Sequence, residues 1–97
     1  TTIEGKLNKI VNYSKRFAAK EAFSKALGTG ISNGISFNEI SINNNNKGKP
    51  YIKLLGKTKF IVNRIIKKKY KIFLSISDEK KYAVAMVVIS HQWKIIF

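Results

Sequence analysis

The sequence predicts an α+β domain in which an antiparallel sheet carries helices on one of its faces. Three observations point there. Residues 13–27 hold apolar side chains at helical spacing, residues beyond 37 change to short β-branched and aromatic runs, and two turn-forming stretches fold those runs back as hairpins. The order helix, hairpin, helix, hairpin places the helices together against one side of the strands.

The first helix is expected over residues 13–27. With Phe17 at zero and 100° per residue, Ala18, Ala19, Ala22, Phe23, Ala26 and Leu27 fill an arc of about 180°. Arg16, Lys20, Glu21, Ser24 and Lys25 fill the polar arc. Gly28 stands where a C-cap glycine belongs, since glycine alone enters the left-handed conformation without a Cβ clash. Gly30, Ser32, Asn33 and Gly34 mark the loop that follows.

Phe37, Ile40 and Ile42 predict a strand near residues 38–43, with one slip in the alternation. Four asparagines, Gly48 and the single proline, Pro50, make residues 43–50 a turn, and the asparagine run reads as a tolerated loop insertion. Residues 51–55 form the return strand. Phe60, Ile61, Arg64, Ile65 and Lys68 predict a second helix over residues 58–69. Residues 70–77 and 82–90 form a second hairpin around Asp78-Glu79-Lys80-Lys81. Its last strand, YAVAMVVIS, is almost wholly apolar, which predicts a central place in the sheet.

The 97 residues allow one domain, read as 1–97. Apolar residues make up 44% of the chain, enough for a core, but so small a domain gains from oligomerisation. The absence of cysteine excludes a disulfide scaffold and a thiolate metal site. No run is long enough to span a bilayer and the first residues carry no signal-like apolar stretch, so no membrane partner and a cytoplasmic setting are expected. His91 has neither cysteine nor a second histidine nearby, which argues against a metal site beside Trp93.

The formal net charge is +14, and only two of the nineteen basic residues are arginine. Lysine, isoleucine and asparagine share A/T-rich codons, so genome composition accounts for part of this charge. The remainder favours an acidic partner, whose encounter a basic surface accelerates.

Read by spacing alone, the polar positions stay ambiguous. Glu21 and Lys25 form an i,i+4 pair of the kind that stabilises a helix by about 0.2–0.5 kcal/mol. Lys20 suits a solvated helix face, Gly48-Lys49-Pro50 an ordinary turn, and Ser75 and Ser77 the polar side of a strand. Arg64, Lys67, Lys68, Lys69 and Lys71 suit a solvated helix end.

Three segments in register change that balance. RFAAKEAFSKALGTG at 16–30, Asn46-Lys47-Gly48-Lys49-Pro50, and Leu74-Ser75-Ile76-Ser77 together resemble holo-acyl-carrier-protein synthase, the small trimeric type of 4'-phosphopantetheinyl transferase. The resemblance covers about residues 13–90. It implies transfer of 4'-phosphopantetheine from coenzyme A to a serine of apo-acyl carrier protein, releasing adenosine 3',5'-bisphosphate in support of fatty acid biosynthesis. It further implies a homotrimer, with coenzyme A and acyl carrier protein as partners. By this resemblance Glu21 is a magnesium (Mg2+) ligand and Lys25 approaches the diphosphate. Arg16 and Lys20 become phosphate contacts, and Gly28 and Gly30 let backbone approach the ligand. Gly48, Lys49 and Pro50 line the nucleotide pocket, while Ser75 and Ser77 lie near the active site.

Two departures stand out. Members of the family open with a strand reading Gly-x-Asp, whose aspartate helps hold magnesium, whereas residues 1–12 read TTIEGKLNKIVN. The chain is therefore expected to be such a domain without its first strand and first helix. The family's Ser-x-Ser commonly precedes histidine; here Asp78 follows, which cannot offer a neutral histidine's donor and acceptor together. The rival expectations are a catalytically inactive remnant of that enzyme and a small basic nucleic-acid-binding domain. The second has charge in its favour but no recognised binding motif.

Overall fold

The computed structural model describes residues 2–30, 34–79 and 82–91. Ser32, Asn33, Lys80, Lys81 and Trp93, named above, lie outside them. The order is a long helix α1 (Ile3–Leu27), a single 3-10 turn (Phe37–Glu39), β1 (Ile40–Asn44), β2 (Pro50–Leu54), α2 (Gly56–Ile65), β3 (Tyr70–Asp78) and β4 (Ala83–His91).

α1 begins ten residues before the expected start. Thr2 caps it, its hydroxyl oxygen accepting the Gly5 N–H at 3.0 Å, and Glu4 sits in the first turn where a carboxylate suits the helix dipole. Gly28 ends it at φ 88°, its N–H bonded to the Lys25 carbonyl at 3.0 Å, as expected of a glycine cap. The buried side chains are Ala19, Phe23 and Ser24, so the core-facing stripe is narrower than the predicted apolar arc. Ala26 and Phe17 are exposed. Ser24 tolerates burial because its hydroxyl donates to the Glu21 carbonyl at 2.8 Å.

Strand pairing is antiparallel throughout, but it forms two two-stranded sheets rather than one. In the first, Ile42 faces Ile52; in the second, Leu74 faces Val87. β2 lies beside β3, and apolar side chains rather than backbone bonds join the hairpins. Phe23, Ile35, Ile40, Leu54, Val62 and Ile66 form the core between α1, α2 and the strands, with Ile52, Ile72 and Val87 packed against it.

α2 is displaced from the expected 58–69 at both ends. Its C-terminus stops at Ile65 because Ile66 turns into the core with extended backbone, leaving Lys67–Lys69 as an exposed turn. Its N-terminus is closed by Glu39, whose carboxylate accepts the N–H groups of Lys57 at 3.1 Å and Thr58 at 3.2 Å. Among the described residues β4 pairs only with β3, so it is not central in a sheet. α1 packs chiefly against β4, while Val84, Met86 and Val88 project to the opposite, exposed face.

Candidate functional site

The 43–50 turn owes its shape to Asn45 and Gly48. The Asn45 side-chain oxygen accepts the N–H groups of Lys47 and Lys49, each at 2.9 Å, and the Asn45 carbonyl accepts that of Gly48 at 2.9 Å. Gly48 has φ +80°, a conformation L side chains rarely adopt. The asparagine run is thus a built turn, with Asn45 satisfying two backbone donors, rather than slack inserted between strands.

That turn forms one wall of a polar groove of about 600 Å³. α1 supplies Asn12, Lys15 and Arg16, β1 supplies Ile42, Asn43 and Asn44, and Gly48, Pro50 and Ile76 complete it. A second groove of about 370 Å³, lined by Lys49, Pro50, Phe73, Leu74, Ser75, Ile76, Met86 and Val88, shares Pro50 and Ile76 with the first. The two grooves meet at Pro50 and Ile76, one cationic and amide-lined, the other largely apolar.

The electrostatics of the polar end are set by Lys15 and Arg16. Lys15 Nζ lies 2.6 Å from Asp78 Oδ2, a pair that ties α1 to the end of β3. Arg16 makes one long bond, from Nε to the Asn12 carbonyl at 3.4 Å, and its guanidinium lines the groove. With the Lys15 ammonium offset by Asp78, the Arg16 guanidinium beside side-chain amides suits a phosphorylated nucleotide: the guanidinium meets phosphate oxygens and the amides can donate and accept.

The structure gathers some of the sequence-predicted residues and separates others. Arg16, Gly48 and Pro50 meet in the polar groove; Lys49, Pro50 and Ser75 meet in the apolar one. Ser77 shares the outward side of β3 with Ser75 but lines neither. Lys20 turns inward, donating from Nζ to the Phe37 carbonyl at 2.8 Å, and so fastens the 3-10 turn to α1. Glu21 and Lys25 pair with each other at 3.4 Å along α1, outside both grooves. Gly28 and Gly30 border open space, with nothing within 4 Å of a Cβ built at either. Sequence reading missed Asn12, Lys15, Asn43 and Asn44; the extension of α1 upstream of Tyr13 is what brings Asn12 to the groove.

Among the described residues no three His, Asp or Glu side chains cluster as a metal site. Glu21 offers one hard carboxylate, and its neighbour Lys25 is a mostly exposed side chain. That donor set fits magnesium only as one ligand among several, the others being phosphate oxygens and water.

Comparison with known proteins gives the family. The family model for the 4'-phosphopantetheinyl transferase superfamily matches residues 5–87. Holo-[acyl-carrier-protein] synthase of Pelagibacter ubique is 52% identical over 87 residues, covering 84% of this chain and 65% of that protein. The synthase of Buchnera aphidicola subsp. Schizaphis graminum is 54% identical over 83 residues, covering 84% and 64%. The chain thus spans about 65% of the length of these curated relatives. Among solved structures, Helicobacter pylori holo-[acyl-carrier-protein] synthase in complex with coenzyme A superposes with a TM-score of 0.68 at 34% identity, covering 82% of this chain and 65% of that one. Plasmodium yoelii acyl carrier protein synthase with ADP bound gives 0.72 at 40% identity, covering 95% and 68%. Sequence, fold and family model agree, and the chain belongs to the 4'-phosphopantetheinyl transferase superfamily.

Proposed function

We propose that this chain transfers 4'-phosphopantetheine from coenzyme A to a serine of apo-acyl carrier protein, in support of fatty acid biosynthesis in the cytoplasm. The observation that carries this reading is the adjacency of the two grooves, which share Pro50 and Ile76. The cationic groove, with Arg16, suits the phosphorylated nucleotide of coenzyme A. The apolar groove, with Phe73, Met86 and Val88, suits the pantetheine arm. The relatives named holo-acyl-carrier-protein synthase, and the solved one that holds coenzyme A, support the same assignment.

In the transfer, the carrier's serine oxygen forms a bond to the β-phosphorus. The bond from that phosphorus to the bridging oxygen breaks, adenosine 3',5'-bisphosphate leaves with the bridging oxygen, and the serine proton passes to a base. Little covalent work falls to the protein in such a reaction, which depends on positioning and charge neutralisation. Arg16 holds the nucleotide phosphates; Lys25 and Glu21 lie outside the two grooves, and their roles at the diphosphate rest on the family resemblance. Glu21 is the carboxylate that would contribute to holding magnesium, which supplies further neutralisation of the diphosphate when bound.

The exposed side of the β3–β4 hairpin supports a homotrimer. Phe73, Val84, Met86 and Val88 lie there at 46–65% exposure, and Phe73 pairs with Val88 in the strand register. A second copy covering this side buries apolar surface that one chain leaves in water. The apolar groove opens onto the same side, so the neighbouring subunit completes the cleft. The acidic carrier is attracted by the net charge of +14.

The test is transfer itself, followed by the mass of the carrier. Incubation with apo-carrier, coenzyme A and magnesium is expected to add one phosphopantetheine group, and Glu21→Gln to abolish the addition while coenzyme A still binds. Glutamine keeps the size but is a far poorer ligand for a hard cation. Full transfer by Glu21→Gln would falsify the metal-ligand role. Coenzyme A binding without any transfer by the unaltered chain identifies the inactive remnant instead.

A further inference from the structure

We propose that the outward face of α2, with the lysine turn that follows it, docks onto an anionic lipid surface. The inference stands on this face alone and is independent of the transferase reading.

α2 buries Thr58 and Val62 and turns its other side to solvent. At 100° per residue, Phe60 falls at the middle of that outer side, with Lys57 and Arg64 to one flank and Lys59 to the other. Phe60 is 63% exposed, and the Arg64 guanidinium sits 5.8 Å from its ring centroid. Beyond the helix, Lys67, Lys68 and Lys69 are exposed in succession, and Lys71 follows on β3. Between Ile40 and Ser77 the sequence holds no carboxylate, and Glu39 just before that stretch caps α2 beside Lys57.

A large apolar ring held outward inside a collar of cations is poorly placed in water and well placed at a bilayer interface. There the ring sinks below the headgroups while the lysine stems lie along apolar surface and their ammonium groups meet lipid phosphates. Each lysine at an anionic surface strengthens the contact by about fivefold. A surface contact of this kind needs no spanning helix, and none of the described helices is long and apolar enough to cross a membrane.

RNA fits the same face less well. The helix part of the face is convex and its lysine turn borders only an open hollow of about 490 Å³, whereas single strands are held in a groove that tracks the backbone. Six of the seven cations are lysine, which lacks the planar fork that pairs with phosphate in two bonds. The amide of Asn63, the base-reading side chain on this face, accepts from the Tyr70 hydroxyl at 2.7 Å.

The experiment is co-sedimentation of the full chain with vesicles of phosphatidylcholine alone or mixed with phosphatidylglycerol. Binding is expected only to the mixed vesicles and is expected to weaken as salt rises. Lys67→Gln with Lys69→Gln should lower the partition constant about 25-fold, and Phe60→Ala about tenfold. All three positions are exposed, so circular dichroism should be unchanged. Lys6→Gln with Lys9→Gln, on the exposed part of α1, removes the same charge elsewhere and should have little effect. Equal binding to pure phosphatidylcholine overturns the proposal. So does an equal loss from the α1 pair, which would make the effect one of net charge. Capture of an RNA oligonucleotide through Phe60 and Lys67 without vesicle binding assigns the face to nucleic acid instead.

Discussion

The Glu39 carboxylate closes the first turn of α2 by accepting the Thr58 hydroxyl at 3.0 Å and the Thr58 N–H at 3.2 Å. The same hydroxyl oxygen accepts the Ser36 N–H at 3.0 Å, so one buried threonine joins the 3-10 turn, the loop before it and α2. Glu39 thereby does for α2 what a local cap residue does for most helices, because Leu55 at the N-cap position contributes no side-chain bond.

This network makes stability depend on acidity. The Thr58 hydroxyl foremost, then the backbone N–H groups of Thr58 and Lys57, hold the Glu39 carboxyl below its ordinary value of 4.5, against the opposing effect of desolvation. A carboxyl with a lowered folded pKa contributes stability that is complete above its unfolded value and disappears as pH falls through the folded value. Denaturant melts are expected to lose stability below pH 4.5, and Glu39→Gln to show a shallower loss over that window. Parallel pH profiles for the two proteins would contradict the assignment.

Gly56 and Gly48 separate two reasons for needing glycine. Gly56 has φ +54°, and a Cβ there would overlap the Glu39 carboxylate; Gly48 has φ +80° with nothing within 4 Å. Gly48→Ala should cost about 1–2 kcal/mol, the strain of a left-handed L residue. Gly56→Ala should cost more than Gly48→Ala, because it also displaces the α2 cap. Equal shifts in chemical denaturation would argue against the cap.

The outward side of β3–β4 gives a prediction about assembly. Met86 is 65% exposed and lies opposite Ser75 in the register. Met86→Lys places a charge on the side proposed for subunit contact, where its desolvation is costly. Light scattering is expected to show a trimer for the unaltered chain and a monomer of unchanged helix content for the variant. A monomer in both cases would count against the trimer.

Much of this was legible in the residues. The glycine cap at Gly28, both hairpins and the α+β order follow from spacing and turn chemistry. The first turns of α1 were legible too: Thr2 as a cap and Ile3, Leu7, Ile10 and Phe17 at helical spacing continue the helix upstream. Ile3, Leu7 and Ile10 are exposed, so no core-facing stripe marked those turns. Lys20 was not legible, because its bond to the Phe37 carbonyl exists only once the 3-10 turn packs against α1. Nor was the apolar strand β4, which reads alike whether its second side is covered by its own chain or left outward. In the site, Arg16, Gly48 and Pro50 belong to recognisable segments, whereas Asn12 and Lys15 reach the groove only through the tertiary placement of α1 on β1.

The central claim is that α1, the Asn45–Pro50 turn and β3 form one nucleotide-binding cleft. Titration with adenosine 3',5'-bisphosphate, followed by backbone amide NMR, tests it most directly. Shifts are expected to cluster at Lys15, Arg16, Asn44, Gly48 and Ile76, while Lys57 and Lys59 on α2 stay still. Shifts centred on the α2 lysines, or none at the turn, would contradict it.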